Sequence, residues 1–541
     1  MNHMTKILKV VVAGLILATT ITSCQKGDLT SDPNAISADA TVPVSLILNH
    51  ITATFIRAEE MPLGGDATYN KNGYKAGQYM VSAYDKYWGN NEYSWSYSGH
   101  AYDILKYTVQ LEIQAKSQFG VTNNKYLALA KFFRAYSAIW LAQRVGDIPM
   151  SQAGDAVNFP KPKFDTQHDV YKNALQLLDD ANSMFNTILT PATQNTAFSA
   201  GGDIFNLTNL QWQKLINTYR LRVLISLSKR ADDNADLNIK TQFATILGNS
   251  TTYPIMTANS DNMVYKFNAV NLYPIWASGS NAYNNFLFVG KPVLDIATST
   301  ADPRTFLMAT PLSGKDYSSF ASYQGAPTGT TVAVLLGSTF SNFNGFRYVG
   351  SKTGDNAEPF IFIGYPEMCF NIAEAINRGW IGASTAADAQ NWYNKGVTAS
   401  FANFGLTLNA SANQSVKSSD AAGNILGSVT TDYGTFLSNI AYNTTNSAAA
   451  LTQILSQKYV ATFNNSGWEA FYNYRRTGIP AFPTGPSNTG YGTVSGQIGI
   501  IPRRFLYPLD EINANNDNYK TSIGTQFGGT DDVTKDTWLT K

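Results

Sequence analysis

Apolar residues recur along much of the chain at intervals that set them on one side of an α-helix. In 125–144, Leu129, Phe133, Tyr136 and Trp140 stand four, three and four residues apart, the period of a buried helix stripe. The stripe of 170–185 runs through Val170, Ala174, Leu177, Ala181 and Phe185. Thr166, three residues ahead of Asp169, predicts its capped start beyond a loop marked by Pro160 and Pro162. Ile216, Tyr219, Val223 and Leu227 repeat the pattern in 211–230, and Tyr365, Cys369, Ile372 and Ile376 in 365–378. Helices are also expected over 386–401 and 448–463. The core is predicted to be mainly α-helical.

Long stretches rich in Gly, Ser, Thr and Asn interrupt these helices at 186–209, 259–289, 311–345 and 406–447. Connections of such length are uncommon in compact domains and point to functional or poorly ordered excursions. The segment 406–447, low in aromatics, reads as surface filler. No repeat near the roughly 34-residue tetratricopeptide period is visible, although successive helices can still pair as helix-turn-helix units. No linker separates two self-sufficient cores, so 42–541 reads as one domain.

The apolar run at the N-terminus is of another kind. Lys6 and Lys9 flank the start of a short apolar core from Val10 to Ala18, and Ile21-Thr22-Ser23 leads into Cys24. This is the layout of an export signal, residues 1–23, that ends at a cysteine to be lipidated. The run falls well short of the roughly 20 residues that span a bilayer. Cys24 is therefore the expected lipid acceptor and, after cleavage, the new N-terminus. One acyl chain holds a protein only marginally, so acylation of both the thiol and the freed amine is needed to keep the chain on a membrane. The polar stretch 24–41, with Ser31-Asp32-Pro33-Asn34, reads as a tether.

Charge and composition narrow the function. With 39 basic against 38 acidic residues, a net charge of +1 and no long run of one sign, the footprint of a nucleic-acid binder is missing. Beyond Cys24 there is only Cys369, which excludes an intrachain disulfide framework and, in an apolar helical stretch, reads as a buried inert thiol. His3, His50, His100 and His168 are too dispersed for a zinc motif. No nucleophile elbow, phosphate-binding loop or dinucleotide fingerprint occurs, so no metal and no cofactor is expected. A carboxylate pair for sugar hydrolysis is a matter of spatial separation; Asp66, Asp85 and Glu92, near aromatics, are its candidates, with solvated surface groups as the plainer reading. Arg475-Arg476 and Arg503-Arg504 read as ion-pair braces of a helix-poor C-terminal region rather than as anion sites.

Aromatic residues reach 13%, with 30 Tyr and nine Trp. Tyr84, Tyr87, Trp88, Tyr93, Trp95 and Tyr97 are interleaved with Asp85, Asn90, Asn91 and Glu92 without a helical stripe, and Tyr273, Trp276 and Tyr283 are mixed with Asn281 and Asn284. Rings can stack on the apolar C–H face of a sugar while neighbouring amides and charges satisfy its hydroxyls. Trp88, Asn91, Tyr273, Trp276 and Tyr283 are the candidate ligand-binding residues, although rings in such loops also plug the core.

Several segments, in order over nearly the whole chain, resemble the SusD/RagB outer-membrane nutrient-binding lipoproteins of the Bacteroidetes, in particular their SusD-like branch. They are Asp28-Leu29-Thr30-Ser31-Asp32-Pro33-Asn34, Gly146-Asp147-Ile148-Pro149, the Trp212 to Arg222 helix, and Asp302-Pro303-Arg304. Ala373-Glu374-Ala375 with Gly379-Trp380, Gln457-Lys458, Glu469, Tyr474-Arg475-Arg476-Thr477-Gly478-Ile479-Pro480 and Ile501-Pro502-Arg503-Arg504 with Tyr507-Pro508 are further members of the set. The resemblance implies a SusD-like fold of tetratricopeptide-like helix pairs covered on one face by long irregular segments. It also implies binding rather than catalysis, and a SusC-type TonB-dependent barrel as partner. It implies an oligosaccharide as the commonest ligand, with peptide as the alternative within the same fold. A surface glycoside hydrolase is the remaining rival. In the family the binding surface commonly combines an early aromatic loop with mid-chain aromatics, so the two clusters are expected to converge on one face.

Overall fold

Helices follow the apolar stripes. In the computed structural model, which describes residues 41–57, 73–83, 99–122, 124–190, 192–198, 202–267, 286–337, 339–348, 358–409, 413–484 and 500–541, six helices of ten or more residues come first. They are α1 (Val44–Arg57), α2 (Gly99–Phe119), α3 (Lys125–Val145), α4 (Gln167–Ile188), α5 (Asn209–Ser226) and α6 (Ile239–Gly248), and each packs on the next. This is the expected succession of helix pairs. A second group, α7 (Lys291–Ser299), α8 (Tyr365–Asn377), α9 (Ala386–Asn403), α10 (Ser447–Ala461), α11 (Glu469–Thr477) and α12 (Asn516–Phe527), is joined to the first where α8 packs on α5 as well as on α9 and α10. From Val44 to Lys541 these elements form one compact unit.

Local chemistry sets the helix starts. The Thr166 hydroxyl accepts the Asp169 N–H at 3.1 Å as predicted, and Asn124 does the same for Leu127 at 3.1 Å. Thr208 and Gln211 form a reciprocal capping box, so α5 begins at Asn209, two residues ahead of the periodic pattern. Such caps satisfy N–H groups that have no partner inside the helix, each worth about 1 kcal/mol. On α4 the buried line passes through Val170, Ala174, Leu178, Ala181 and Phe185, with Leu177 only half-buried at its edge. All four stripe residues of α3 are buried, as are most residues around them, because α2 and α4 flank this helix. Cys369 is fully buried, which pushes its thiol up to about 12 and leaves it inert.

Buried ion pairs bind the two helix groups together. Arg222 of α5 donates through Nε and Nη2 to Glu367 of α8 at 2.7 and 2.5 Å, and Arg476 of α11 grips both oxygens of Glu374. Burial alone would raise the Glu374 pKa, but Arg476, Arg378 and Lys458 outweigh it and hold the carboxyl down at about 2. Arg304 and Asp302 are fully buried and paired at 2.6 Å. Arg504 pairs with Asp531 at 2.5 Å and Arg503 with Asp536 at 2.8 Å. Arg475 departs from the expected ion pairing: it donates to the carbonyls of Arg503 and Gln143, each at 2.7 Å. Most of these arginines and acids belong to the segments that carry the family resemblance. Their role is to hold the scaffold.

Strands β1 (Met80–Ser82), β2 (Met263–Tyr265), β3 (Leu287–Val289), β4 (Phe360–Ile363), β5 (Ser415–Ser419) and β6 (Ile425–Thr430) form three antiparallel pairs among the described residues, β1–β3, β2–β4 and β5–β6. The segment expected to be surface filler contains the β5–β6 hairpin and the short helix Tyr433–Asn439. Val416, Val429, Tyr433 and Phe436 within it are buried. Two valines of the hairpin and two rings of the short helix thus anchor a segment whose low aromatic content suggested a surface position.

Candidate functional site

The short β1–β3 ladder organises the region where ligand contacts are expected. Met80 faces Val289, Val81 faces Phe288 and Ser82 faces Leu287. One residue further, the Ala83 N–H donates to the Phe286 carbonyl at 2.8 Å. At the other end the Gly290 N–H donates to the Tyr79 carbonyl at 2.8 Å, and any Cβ at Gly290 would overlap the Gln78 carbonyl. This close backbone approach requires glycine. Val81, Ala83, Phe288, Ala326 and Leu335 form an apolar cluster around the ladder, with Phe286, Val332 and Phe340 packed against it.

Beside this cluster opens a cleft of about 700 Å³, large enough for several sugar rings or a short peptide. Phe286, Phe288, Tyr317 and Phe340 supply its rings, Leu336 and Leu426 its apolar rim, and Thr310, Lys315, Asn342 and Asp420 its polar groups. One wall is the β5–β6 hairpin. The Tyr317 ring lies over Gly427 of β6, where a Cβ would overlap it. The Tyr317 carbonyl accepts from the Tyr323 hydroxyl at 2.7 Å, and that hydroxyl also meets Ser418 Oγ of β5 at 3.0 Å. Burial pushes the Tyr323 hydroxyl up to about 12, so it stays protonated as a structural link.

The polar groups of the cleft differ in how far they are committed. Asp420 spends both carboxylate oxygens on the hairpin turn, accepting from the Ala422 and Asn424 N–H groups and from the Asn424 side chain at 2.8–3.0 Å. Asn342 donates to the Leu287 carbonyl at 2.9 Å. Asp316 accepts from Ser318 N and Oγ, which lowers its pKa. Lys315 is exposed on a turn fixed by its N–H to the Leu312 carbonyl, and its ammonium forms no ion pair among the described residues.

A second depression of about 550 Å³ lies between α2, the 149–162 loop and the C-terminal region, lined by Leu105, Pro149, Ala156, Phe159 and Pro160 with Tyr102 and Glu511. Burial raises the Glu511 pKa and the bond to Tyr102 partly offsets this.

Trp88, Asn91, Tyr273, Trp276 and Tyr283 fall in 84–98 and 268–285, and Cys24, Asp66, Asp85 and Glu92 also lie outside the described residues. The described chain does show where those two aromatic segments attach. The first follows Ala83 and the second ends before Phe286, and these two residues share a hydrogen bond at the cleft. Sequence reasoning missed Lys315, Tyr317, Phe286 and Phe340. Their only local signal was a position in or beside long irregular segments, since neither periodicity nor motif marks them. Among the described residues no group of three His, Cys, Asp or Glu could hold a metal ion, and no helix is long and apolar enough to cross a membrane.

A family model for SusD-like proteins, described as starch-binding and associating with the outer membrane, matches residues 33–508. Two SusD homologs from Bacteroides fragilis share the fold. One is 26% identical with a TM-score of 0.75, covering 92% of this chain and 100% of its own. The other is 27% identical with a TM-score of 0.70, covering 92% and 99%. A chitin-binding SusD homolog from Flavobacterium johnsoniae, 19% identical, has a TM-score of 0.69 and covers 91% and 98%. Among curated proteins none matches the chain. The chain belongs to the SusD-like family: it is a nutrient-binding protein associated with the outer membrane that acts with a SusC-type transporter, and a binder rather than an enzyme.

Proposed function

We propose that the protein is a lipid-anchored, surface-exposed receptor that captures an oligosaccharide and delivers it to its SusC-type partner. On this reading Trp88, Asn91, Tyr273, Trp276 and Tyr283 are its ligand-binding residues. The observation that carries this reading is the hydrogen bond from Ala83 to Phe286, which joins the ends of the two aromatic-rich segments at the ladder beside four further rings. Segments rooted at one point can present rings to one ligand, and rings alternating with Asn and Asp suit a sugar, which has apolar faces and polar edges. The family description as starch-binding and the chitin-binding relative point to the same ligand class. Cys24 carries the lipid, 24–41 is the tether and 42–541 the binding body.

Calorimetric titration with malto-, chito-, xylo- and galacto-oligosaccharides, their anionic counterparts and mixed peptides tests the ligand class. With the tightest oligosaccharide, Trp88→Ala and Trp276→Ala are each expected to weaken binding by about 1–3 kcal/mol with little change in melting temperature. Unchanged affinity in both moves the site elsewhere, and binding of peptides alone replaces the glycan. Cys24→Ala is expected to abolish lipoprotein processing and membrane retention in fractionated cells; full retention would refute the anchor.

A further inference from the structure

The depression between α2, the 149–162 loop and the short helix Leu509–Ala514 holds a buried acid that the fold does not match with a cation. Glu511 is only 9% exposed. It accepts from the Tyr102 hydroxyl and, at 3.3 Å, from the Asn515 amide, and it forms no ion pair among the described residues. The buried Glu367 and Glu374, by contrast, each meet an arginine, and Asp203 accepts two backbone N–H groups and the Trp212 ring N–H. Lys106 and Asp510 also line the depression and offset each other, so Glu511 leaves it one negative charge in excess. A cation would stabilise a buried carboxylate more than these two neutral donors do.

The wall around this acid is apolar and firmly held. Asp165 accepts the Met150 and Ser151 N–H groups at 2.8 Å each at one end of the loop, and Asn515 donates to the Pro162 carbonyl at 2.7 Å at the other. Between them Gly154 presses on Val109 of α2 so closely that a Cβ would stand 2.6 Å from its Cγ2. This pinned loop nevertheless leaves Val157 and Phe159 91% and 40% exposed, and Leu509, beside Asp510, is 51% exposed. Large apolar side chains exposed together around a concavity mark a surface for a partner. A sugar would find few groups for its hydroxyls along Leu105, Pro149, Ala156, Phe159 and Pro160. A lysine or arginine can lay its apolar stem on such a wall and carry its charge to the far end. We propose that this depression docks the SusC-type partner, which inserts a lysine or arginine flanked by apolar residues, the charge meeting Glu511 and the flanking residues covering Val157 and Phe159. These residues are distinct from those lining the β1–β3 cleft, and the inference holds whichever nutrient that cleft takes.

The test measures association of the purified protein with the detergent-solubilised transporter by calorimetry. Glu511→Gln keeps the size of the side chain and removes its charge, and should weaken association roughly tenfold or more, as loss of one member of a desolvated charge pair does, without lowering the melting temperature. Val157→Asp, at a position that is 91% exposed, should weaken it comparably with little change in melting. Beyond Cys24 the chain has only the buried Cys369. Val157→Cys therefore supplies the one reactive thiol of 42–541, and a photo-cross-linker attached there should join a transporter peptide that contains a lysine or arginine. Unchanged affinity in Glu511→Gln, or a cross-link only to a second copy of this protein, overturns the proposal. Oligosaccharide affinity of the same variants is expected to equal that of the wild type, so failure here leaves the glycan reading standing.

Discussion

The helical scaffold and the cleft wall treat polar groups in opposite ways. Between α5, α8 and α11, Arg222, Arg476, Glu367 and Glu374 are buried and matched to one another with bidentate geometry. At the cleft, Lys315 is left with no ion pair among the described residues, and Leu336 and Leu426 stand 48% and 44% exposed. A buried charge without a partner costs several kcal/mol, so the scaffold must resolve every one internally. An exposed lysine or leucine costs little and remains free to meet a ligand. The difference separates residues that maintain the fold from residues that serve binding, although both groups contain charges and aromatics.

The sharpest way to break that division is to remove one half of a scaffold pair. Glu374→Gln, which strands Arg476 in the interior, is expected to destabilise the protein by about 3–5 kcal/mol in denaturant unfolding, while ligand affinity of the folded fraction is unchanged. A loss of affinity without loss of stability would place Glu374 with the binding residues instead. The same pair should shape acid stability. Because the folded carboxyl titrates at about 2, below the ordinary glutamate value of 4.5, its contribution is complete above about pH 4.5 and disappears as pH falls toward 2. The wild type should lose stability through that window. Glu374→Gln should lose distinctly less there, as pH-resolved melting would record.

Effects at the cleft should be smaller in stability and larger in binding. Gly427→Val drives a side chain into the place of the Tyr317 ring and should cost about 1–2 kcal/mol of ligand affinity, in the range of a displaced contact residue. Gly427 lies on the half-exposed hairpin, so the melting transition should move little. Calorimetry and thermal unfolding on the same sample distinguish this from the scaffold variant. A fall in stability comparable to that of Glu374→Gln would show that the hairpin belongs to the scaffold after all.

Helix stripes and caps were legible in the sequence because both are local. Leu129, Phe133, Tyr136 and Trp140 share a face through the helical repeat alone, and Thr166 meets Asp169 across a single turn. The family's ordered segments are likewise properties of the chain itself. What a motif does was less legible. Arg475 could not be seen to grip carbonyls rather than a carboxylate, since Gln143 and Arg503 reach it from other parts of the chain.

By itself, then, the sequence determined a helical protein of the SusD-like family, because periodicity, capping and motif order need only neighbours along the chain. Tertiary structure alone decided the cleft. Ala83 meets Phe286, and Tyr317 meets Gly427, across long sequence separations, and no residue near either one specifies its partner. The fate of each charge followed the same rule. Asp420 and Lys315 look equally free in the sequence, and it is the fold of the hairpin turn that occupies the first and leaves the second facing the cleft.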